Sequence, residues 1–329
     1  MNGKILVTGG AGYIGSFIVR KLKEAGFDVL IVDSLIHGHP EAVPGFELVK
    51  IDLVTEKDKL DELLGKEKFA GVIHMAAFIQ MGESYEKPGM YFRNNVVGSL
   101  NLLETMAKHG VSNFVFSSSA GVYGEPENIP IKEDDPKDPA NPYGETKLIV
   151  ERMLPWFDQA HGLKFISIRY FNAAGAALDG SIGADQPNES HIIPRALVAV
   201  LKGEKFTLFG GDYQTVDGTC VRDYVHVLDL AEAHVLALKA LMGGAESNFY
   251  NAGYGQGYSN KQIVGMIKKV TGLDLKVEIG PRRPGDTAAL VASIDKIKAD
   301  FGWEPKYGLK EIIESAYLWH KNHPDGYKG

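Results

Sequence analysis

Two residues four apart, Tyr143 and Lys147 in Asn141-Pro142-Tyr143-Gly144-Glu145-Thr146-Lys147, carry the clearest chemistry in this chain. On a helix that spacing puts both side chains on one face, within reach of a common ligand. A phenol ionises near pH ~10, and a neighbouring ammonium favours its phenolate, so the pair can make a base from a weak acid. Ser119 lies upstream in Phe116-Ser117-Ser118-Ser119-Ala120, with a hydroxyl able to donate and to accept. Taken singly, a Tyr-x-x-x-Lys also reads as a packed Tyr beside a solvated Lys, and a Ser within three serines as a turn residue.

The second chemical feature is a glycine-rich loop, Leu6-Val7-Thr8-Gly9-Gly10-Ala11-Gly12-Tyr13-Ile14-Gly15. It satisfies G-x-G-x-x-G through Gly10, Gly12 and Gly15, and G-x-x-G-x-x-G through Gly9, Gly12 and Gly15. Glycines there allow a tight turn, close approach of a pyrophosphate and close packing of helix on strand. The helix entering at Tyr13 and Ile14 offers unpaired N–H groups and a positive dipole end to phosphates. Asp33 follows Gly15 by 18 residues at the end of the next strand. A carboxylate at that place accepts bonds from ribose hydroxyls and repels a 2′-phosphate, which favours NAD over NADP. Asp52, with Leu53 beside it after the third strand, and Asn95 are further candidates on the cofactor side. An Asp after a strand is also a common turn or cap residue.

These residues need a scaffold that brings strand ends together. From residue 3 to about 170, strand patterns (Ile5–Thr8, Val29–Asp33, Phe46–Asp52, Gly71–Met75, Asn113–Ser117, Lys164–Arg169) alternate with helical ones (Tyr13–Ala25, Glu56–Leu64, Asn94–Lys108, Tyr143–His161). That order predicts βαβ units and an α/β fold with a Rossmann-type, doubly wound parallel sheet. Such sheets bind ligands at the carboxyl ends of their strands, where Ser119, Tyr143 and the glycine loop would meet. After Asn172 the texture changes. Residues 173–190 read as a loop over a site, followed by helices near 192–202, 227–241, 259–271, 293–300 and 309–321 and strands near 206–209, 248–251 and 275–279. The expected division is a cofactor domain of 1–172 plus about 226–252, and a smaller, discontinuous α/β substrate domain of about 173–225 plus 253–329.

Composition narrows the class. With 329 residues, 44% hydrophobic and 23% charged, the chain has the profile of a soluble globular protein. A net charge of −7 argues against general attraction to nucleic acid or an anionic membrane. One cysteine, Cys220, excludes an intramolecular disulfide framework and a multi-cysteine metal site, and fits a cytoplasmic location. The longest apolar run, Ala70 to Ile79, contains His74 and is too short to span a bilayer. The strand at Lys4-Ile5-Leu6-Val7 leads straight into the glycine loop, so the first residues read as fold rather than as a signal peptide.

Across nearly the whole length the motifs resemble the extended short-chain dehydrogenase/reductase family, and within it the nucleotide-sugar 4-epimerases. The matching runs are Thr8–Gly15, His74-Met75-Ala76-Ala77 with Gly82-Glu83-Ser84, Asn94-Asn95-Val96, Ser117–Gly124 and Pro142–Lys147. They continue with Arg169-Tyr170-Phe171-Asn172, Asp217-Gly218-Thr219-Cys220-Val221-Arg222-Asp223-Tyr224 and Pro281-Arg282-Arg283-Pro284-Gly285-Asp286. The resemblance implies bound NAD, a UDP-sugar substrate and reversible epimerisation of UDP-glucose and UDP-galactose at C4 through a transient 4-keto sugar. Tyr143 would exchange the 4-hydroxyl proton, Ser119 would position that hydroxyl, and Lys147 would support the phenolate. Asn172, His191, Phe209, Arg222, Arg283 and Asp286 would hold the substrate, arginines being suited to grip a diphosphate. It also implies a homodimer through the helices around 94–108 and 143–161.

Three positions depart from the family pattern. Ile79 stands where many relatives carry a cofactor-contacting Lys, and His191 where some carry Asn. Leu290 occupies the gate to the sugar 2-substituent, where a bulky Tyr restricts the pocket and a small residue admits N-acetyl sugars. The alternative activities are 4-epimerisation of another nucleotide sugar, such as a UDP-N-acetylhexosamine or UDP-uronate, and a nucleotide-sugar 4,6-dehydratase. The dehydratase needs an Asp-Glu pair after the hydroxyl residue, where this chain has Ala120 and Gly121. A non-catalytic NAD-binding protein would have no need of an intact Ser119, Tyr143 and Lys147.

Overall fold

The computed structural model describes residues 3–186, 189–283 and 285–328. Pro284 of the motif above lies outside the described residues. The chain begins β1 (Lys4–Thr8), α1 (Tyr13–Glu24), β2 (Asp28–Asp33), β3 (Glu47–Lys50), α2 (Lys57–Lys66) and β4 (Phe69–His74). Two short helices, α3 (Met81–Glu86) and α4 (Pro88–Tyr91), run into a π-helical turn at Phe92–Val97 and then α5 (Gly98–His109). β5 (Asn113–Ser117), α6 (Pro142–His161), β6 (Lys164–Tyr170) and β7 (Asn172–Ala174) follow. Next come α7 (Ile192–Lys202), β8 (Phe206–Phe209), β9 (Val221–His226), α8 (Val227–Met242), β10 (Asn248–Ala252) and β11 (Gly257–Ser259). The chain closes with α9 (Asn260–Thr271), β12 (Val277–Gly280), β13 (Ala289–Leu290), α10 (Asp295–Phe301) and α11 (Leu309–Asn322).

Seven strands form one parallel sheet in the order β10-β6-β5-β4-β1-β2-β3. The direction of winding reverses between β1 and β4, the switch point at which such sheets open a crevice. Side-chain alternation divides the core. Ile5, Val7, Ile31, Ile73 and Val115 face a cluster with Phe17 and Leu22 of α1 and Leu230 of α8. Leu6, Leu30, Val72, Phe114 and Phe116 face a second, with Leu60 of α2, Leu102 of α5 and Leu154 of α6. Both faces are thus covered by helices, which is why these strands read as continuous apolar runs.

A third cluster joins α7, α9 and α11 around β8, whose parallel partner is β12. β9 pairs with β7, β11 and β13 and links this smaller assembly to the main sheet. Sequence periodicity did not anticipate β7, β9, β11 or β13. Val221-Arg222-Asp223 at the start of β9 interrupts the apolar pattern, and the other three strands span two or three residues. The expected strand Phe46–Asp52 shortens to Glu47–Lys50, since Asp52 bends into a turn: its Oδ1 accepts from Val54 N at 2.8 Å and Thr55 N at 3.3 Å. Among the described residues no helix is long and apolar enough to cross a membrane.

Candidate active site

One continuous cleft runs along the carboxyl ends of the sheet strands, from Asp33 and Ser34 past the glycine loop to Arg222 and Asp286. Gly9, Gly12, Tyr13, Ile14, Gly15, Asp33, Asp52, Leu53, Ser119, Tyr143, Asn172, His191, Arg222, Asp286 and Leu290 all line it. Asn95, Lys147, Phe209 and Arg283 do not, and each has a different reason.

Backbone contact brings the two candidate residues Ser119 and Tyr143 together. Asn141 caps α6, its Oδ1 accepting from Gly144 N at 2.8 Å, and Pro142 occupies the first turn. A Cβ on Gly144 would stand 2.4 Å from Gly121 O, so glycine lets the helix start press against the Ala120–Val122 turn. That contact brings Tyr143 to Ser119. Ser119 Oγ accepts from Gly121 N at 3.1 Å, which leaves its proton free to act on the neighbouring Tyr143 hydroxyl. Tyr170, a cleft residue at the end of β6, stands beside the Tyr143 hydroxyl. The role of Tyr170 was not read from the sequence; its place at the carboxyl end of a sheet strand was the available signal.

Burial dominates the electrostatics of this pair. Tyr143 is 6% exposed, and desolvation, with Tyr170 beside it, pushes its pKa well above the ordinary phenol value, while the Ser119 bond pulls it down. The protein alone therefore keeps Tyr143 protonated. Lys147 lies behind the tyrosine rather than in the cleft. Its Nζ donates to Ser117 O at 2.7 Å and sits 5.0 Å from the Phe116 ring centroid and 5.9 Å from that of Tyr143. Burial lowers its pKa to about 7, opposed by the Glu151 carboxylate. Glu151 is itself locked to Arg169 by bonds of 2.8–3.2 Å.

At the cofactor end, Asp33 joins loop to strand: Oδ2 accepts from Ala11 N at 3.1 Å and Oδ1 from Leu35 N at 2.9 Å. Burial raises its pKa despite both bonds. Asn95 is spent internally. Its Oδ1 accepts from Phe78 N at 2.8 Å, and its Nδ2 donates to Phe78 O and Thr146 Oγ1 at 3.0 Å each, tying this segment to α6. Asn94 faces the cleft in its place, because the π turn adds a residue and shifts the helical phase. His74 is buried between Thr8 Oγ1 at 2.6 Å and Ser99 Oγ at 2.8 Å. Ser99 already donates to Asn95 O, so His74 carries its proton on Nε2 and is neutral, with a pKa lowered by burial to about 3.

The far end is built from charges. Asp286 lies between two arginines, 3.8 Å from Arg222 and 3.2 Å from Arg283. Arg222 is largely buried, whereas the Arg283 side chain is 44% exposed and stacks on Phe209 at 5.1 Å. Phe209 thus supports arginines from outside the cleft lining; Arg195 covers it as well, at 5.5 Å. His191, whose side chain is nearly half exposed at the cleft edge, is partly desolvated, which lowers its pKa, but its Nδ1 pairs with Glu189 at 2.6 Å and that bond raises the pKa above the ordinary value. Asn172 Nδ2 donates to Asp223 O at 2.9 Å and orients β7 against β9.

Residues 5–253 match the NAD dependent epimerase/dehydratase family. The chain belongs to that family. It is 48% identical to the UDP-glucose 4-epimerase of Lacticaseibacillus casei over 326 residues, 98% of each chain. A crystal structure of a UDP-glucose 4-epimerase superposes with a TM-score of 0.95 at 47% identity, covering 99% of this chain and 100% of the other. The Brucella ovis UDP-glucose 4-epimerase, solved in complex with NAD, gives 0.93 at 41% identity, with 96% and 97% covered.

The cleft has the shape the family's dinucleotide requires. A Cβ on Gly15 would stand 2.2 Å from Gly9 O, so glycine is needed for the loop to close on α1. A Cβ on Gly12 would meet only Gly9 O, at 3.3 Å, which leaves the cleft side open for a pyrophosphate. No side chain caps α1 at Gly12 and its first turn holds no acid, so the helix dipole faces the cleft uncompensated. Among the described residues no Lys or Arg lines the cleft around Asp33, as suits a ribose without a 2′-phosphate.

Proposed function

We propose that this protein interconverts UDP-glucose and UDP-galactose by inverting C4, with NAD held in the glycine-loop half of the cleft and the UDP-sugar in the other. The observation that carries this reading is the meeting of the Ser119–Tyr143 pair, the open Gly12 cradle and Arg222 in one cleft. Ala120 and Gly121 occupy the places where a dehydratase would need an acid pair, so elimination has no proton source there.

The chain's own groups divide the task. Arg222, Arg283 and Asp286 grip the UDP portion, with Phe209 backing the second arginine and His191 beside it. Leu290 faces the sugar 2-substituent. Ser119 donates to whichever oxygen carries charge, and Tyr143 takes the 4-hydroxyl proton and returns it. When bound, the nicotinamide supplies a hydride acceptor at C4 and a positive charge that, with Lys147, lowers the cost of the phenolate. Without that charge burial keeps the proton on Tyr143, so the base forms only in the loaded site. Asp33, Asp52 and Leu53 border the adenosine half.

The seven-stranded sheet with α8 and β10 (1–172 plus about 226–252) serves as the cofactor domain, and about 173–225 plus 253–329 as the substrate domain. The protein pairs as a homodimer through α5 and α6: Trp156 on α6 is 70% exposed and Val97 at the head of α5 41%. Its place is the cytoplasm, where Cys220, buried and free, stays reduced. Product analysis by NMR with UDP-glucose, UDP-galactose and their N-acetyl counterparts tests the activity. A stable 4-keto-6-deoxy sugar would sink it.

A further inference from the structure

Opposite the glycine loop, the cleft is walled by Ala184, Gln186, Glu189, Trp319 and His320. The backbone of this wall is held from several sides. Trp319 Nε1 donates to Ala184 O at 3.0 Å. Gly183 lies against the same indole, where a Cβ would stand 2.4 Å from Trp319 Cγ. Tyr327, in the last turn of the chain, uses both capacities of its hydroxyl on Gly183: it donates to Gly183 O at 3.1 Å and accepts from Gly183 N at 3.2 Å. Tyr327 N donates to Asp185 Oδ2 at 2.9 Å. Gly326 makes this turn with a φ of +66°, and a Cβ there would strike Asp185 Oδ2 at 2.2 Å.

The opposite lobe reaches the same point. His39 follows the Asp33 segment, and its backbone N–H donates to Ala11 O in the glycine loop at 2.9 Å. Its ring lies 5.0 Å from that of Tyr327, and Nε2 donates to Asp185 O at 3.0 Å. His39, Asp185 and Tyr327 stand behind the lining, but their neighbours Gly38, Ala184 and Gln186 face the cleft, so the His39 contacts with Asp185 and Tyr327 join two of its walls, and the Tyr327 bonds to Gly183 hold the second wall in place. None of these side chains belongs to the proton-transfer pair or the arginine grip.

We propose that His39, Asp185 and Tyr327 form a clasp that closes the cleft over a bound dinucleotide, so that His39 and Tyr327 are positioning residues for cofactor retention. This rests on the reading that the cleft holds NAD. A clasp joined by a few hydrogen bonds can open for loading without unfolding either lobe, and breaking it speeds release more than it slows entry.

The test compares purified holoenzyme with Tyr327→Phe and His39→Ala. The release half-time of NAD is measured by rapid desalting and quantitation of the retained cofactor, and the melting temperature of each cofactor-free protein is recorded. Tyr327→Phe removes both bonds to Gly183, and release should accelerate about tenfold. His39→Ala should accelerate it several-fold, both with melting temperatures near wild type. Release within twofold of wild type in both variants overturns the clasp, as does faster release that tracks an equal loss of melting temperature in both. A wild-type protein that retains no NAD would instead overturn the cofactor reading itself.

Discussion

The two ends of the cleft are built in opposite ways. At the Tyr143 end, Tyr143 and Lys147 are at most 6% exposed on one face of α6, and contacts with backbone set their positions. At the nucleotide end, Arg283 and His191 are half open to solvent and are held by partners that are themselves charged: Asp286 for one, Glu189 for the other. A desolvated group works by its altered proton affinity, and a solvated one by adding charge to a ligand. Damage to the first end should appear in rate and in pH dependence, and damage to the second in substrate affinity.

The largest contrast is in turnover. Tyr143→Phe should lower kcat by about 10²- to 10⁴-fold with NAD still retained, the range of a lost general base. Near-normal steady-state activity would show that the buried end does not move the proton. Stability provides the next contrast. The folded pKa of Lys147, about 7, lies below its ordinary value of 10.5, so between those values the unfolded chain holds one proton more. Stability must then rise with pH through that window, while below about pH 7 the full penalty of the buried charge applies. Lys147→Met should therefore gain stability relative to wild type at pH 6, and that gain should shrink by about 3 kcal/mol by pH 9 in melts of cofactor-free protein. A pH-independent difference would mean that the ammonium is not desolvated.

Smaller effects belong to the nucleotide end. Arg222→Ala should raise KM for the UDP-sugar about 10- to 100-fold with little change in kcat, from a charged hydrogen bond of about 1.5–3 kcal/mol. Arg283→Ala, at an exposed site, should raise it only a few-fold, about the effect of a rim charge of ~1 kcal/mol or less. Equal effects from the two would erase the distinction drawn from their burial. Leu290→Tyr should reduce turnover of N-acetylated sugars relative to plain ones, measured as a ratio of kcat/KM.

The same contrast governs what could be read in advance. The doubly wound sheet was legible because strands covered on both faces leave long apolar runs, and Gly15 and Pro142 mark helix starts by local chemistry alone. Lys147 was found by its spacing, but its retreat behind Tyr143 depends on a bond to Ser117 O that no pattern encodes. Asn95 turns inward and Asn94 faces the cleft because a π turn breaks the 3.6-residue period. Phe209 and Tyr327 act through residues far away in sequence, Arg283 and Gly183, and such long-range contacts leave no local trace. The strand at Val221–His226 was hidden by the charges that equip it for the cleft.

The central claim is that Tyr143 lends and regains one proton while hydrogen leaves C4 and returns to the opposite face. UDP-glucose deuterated at C4, incubated with the holoenzyme in ordinary water and followed by NMR, tests this directly. The account predicts UDP-galactose with the deuterium still on C4 and no net reduced cofactor. Deuterium lost to solvent, or a keto sugar accumulating in place of UDP-galactose, would contradict it.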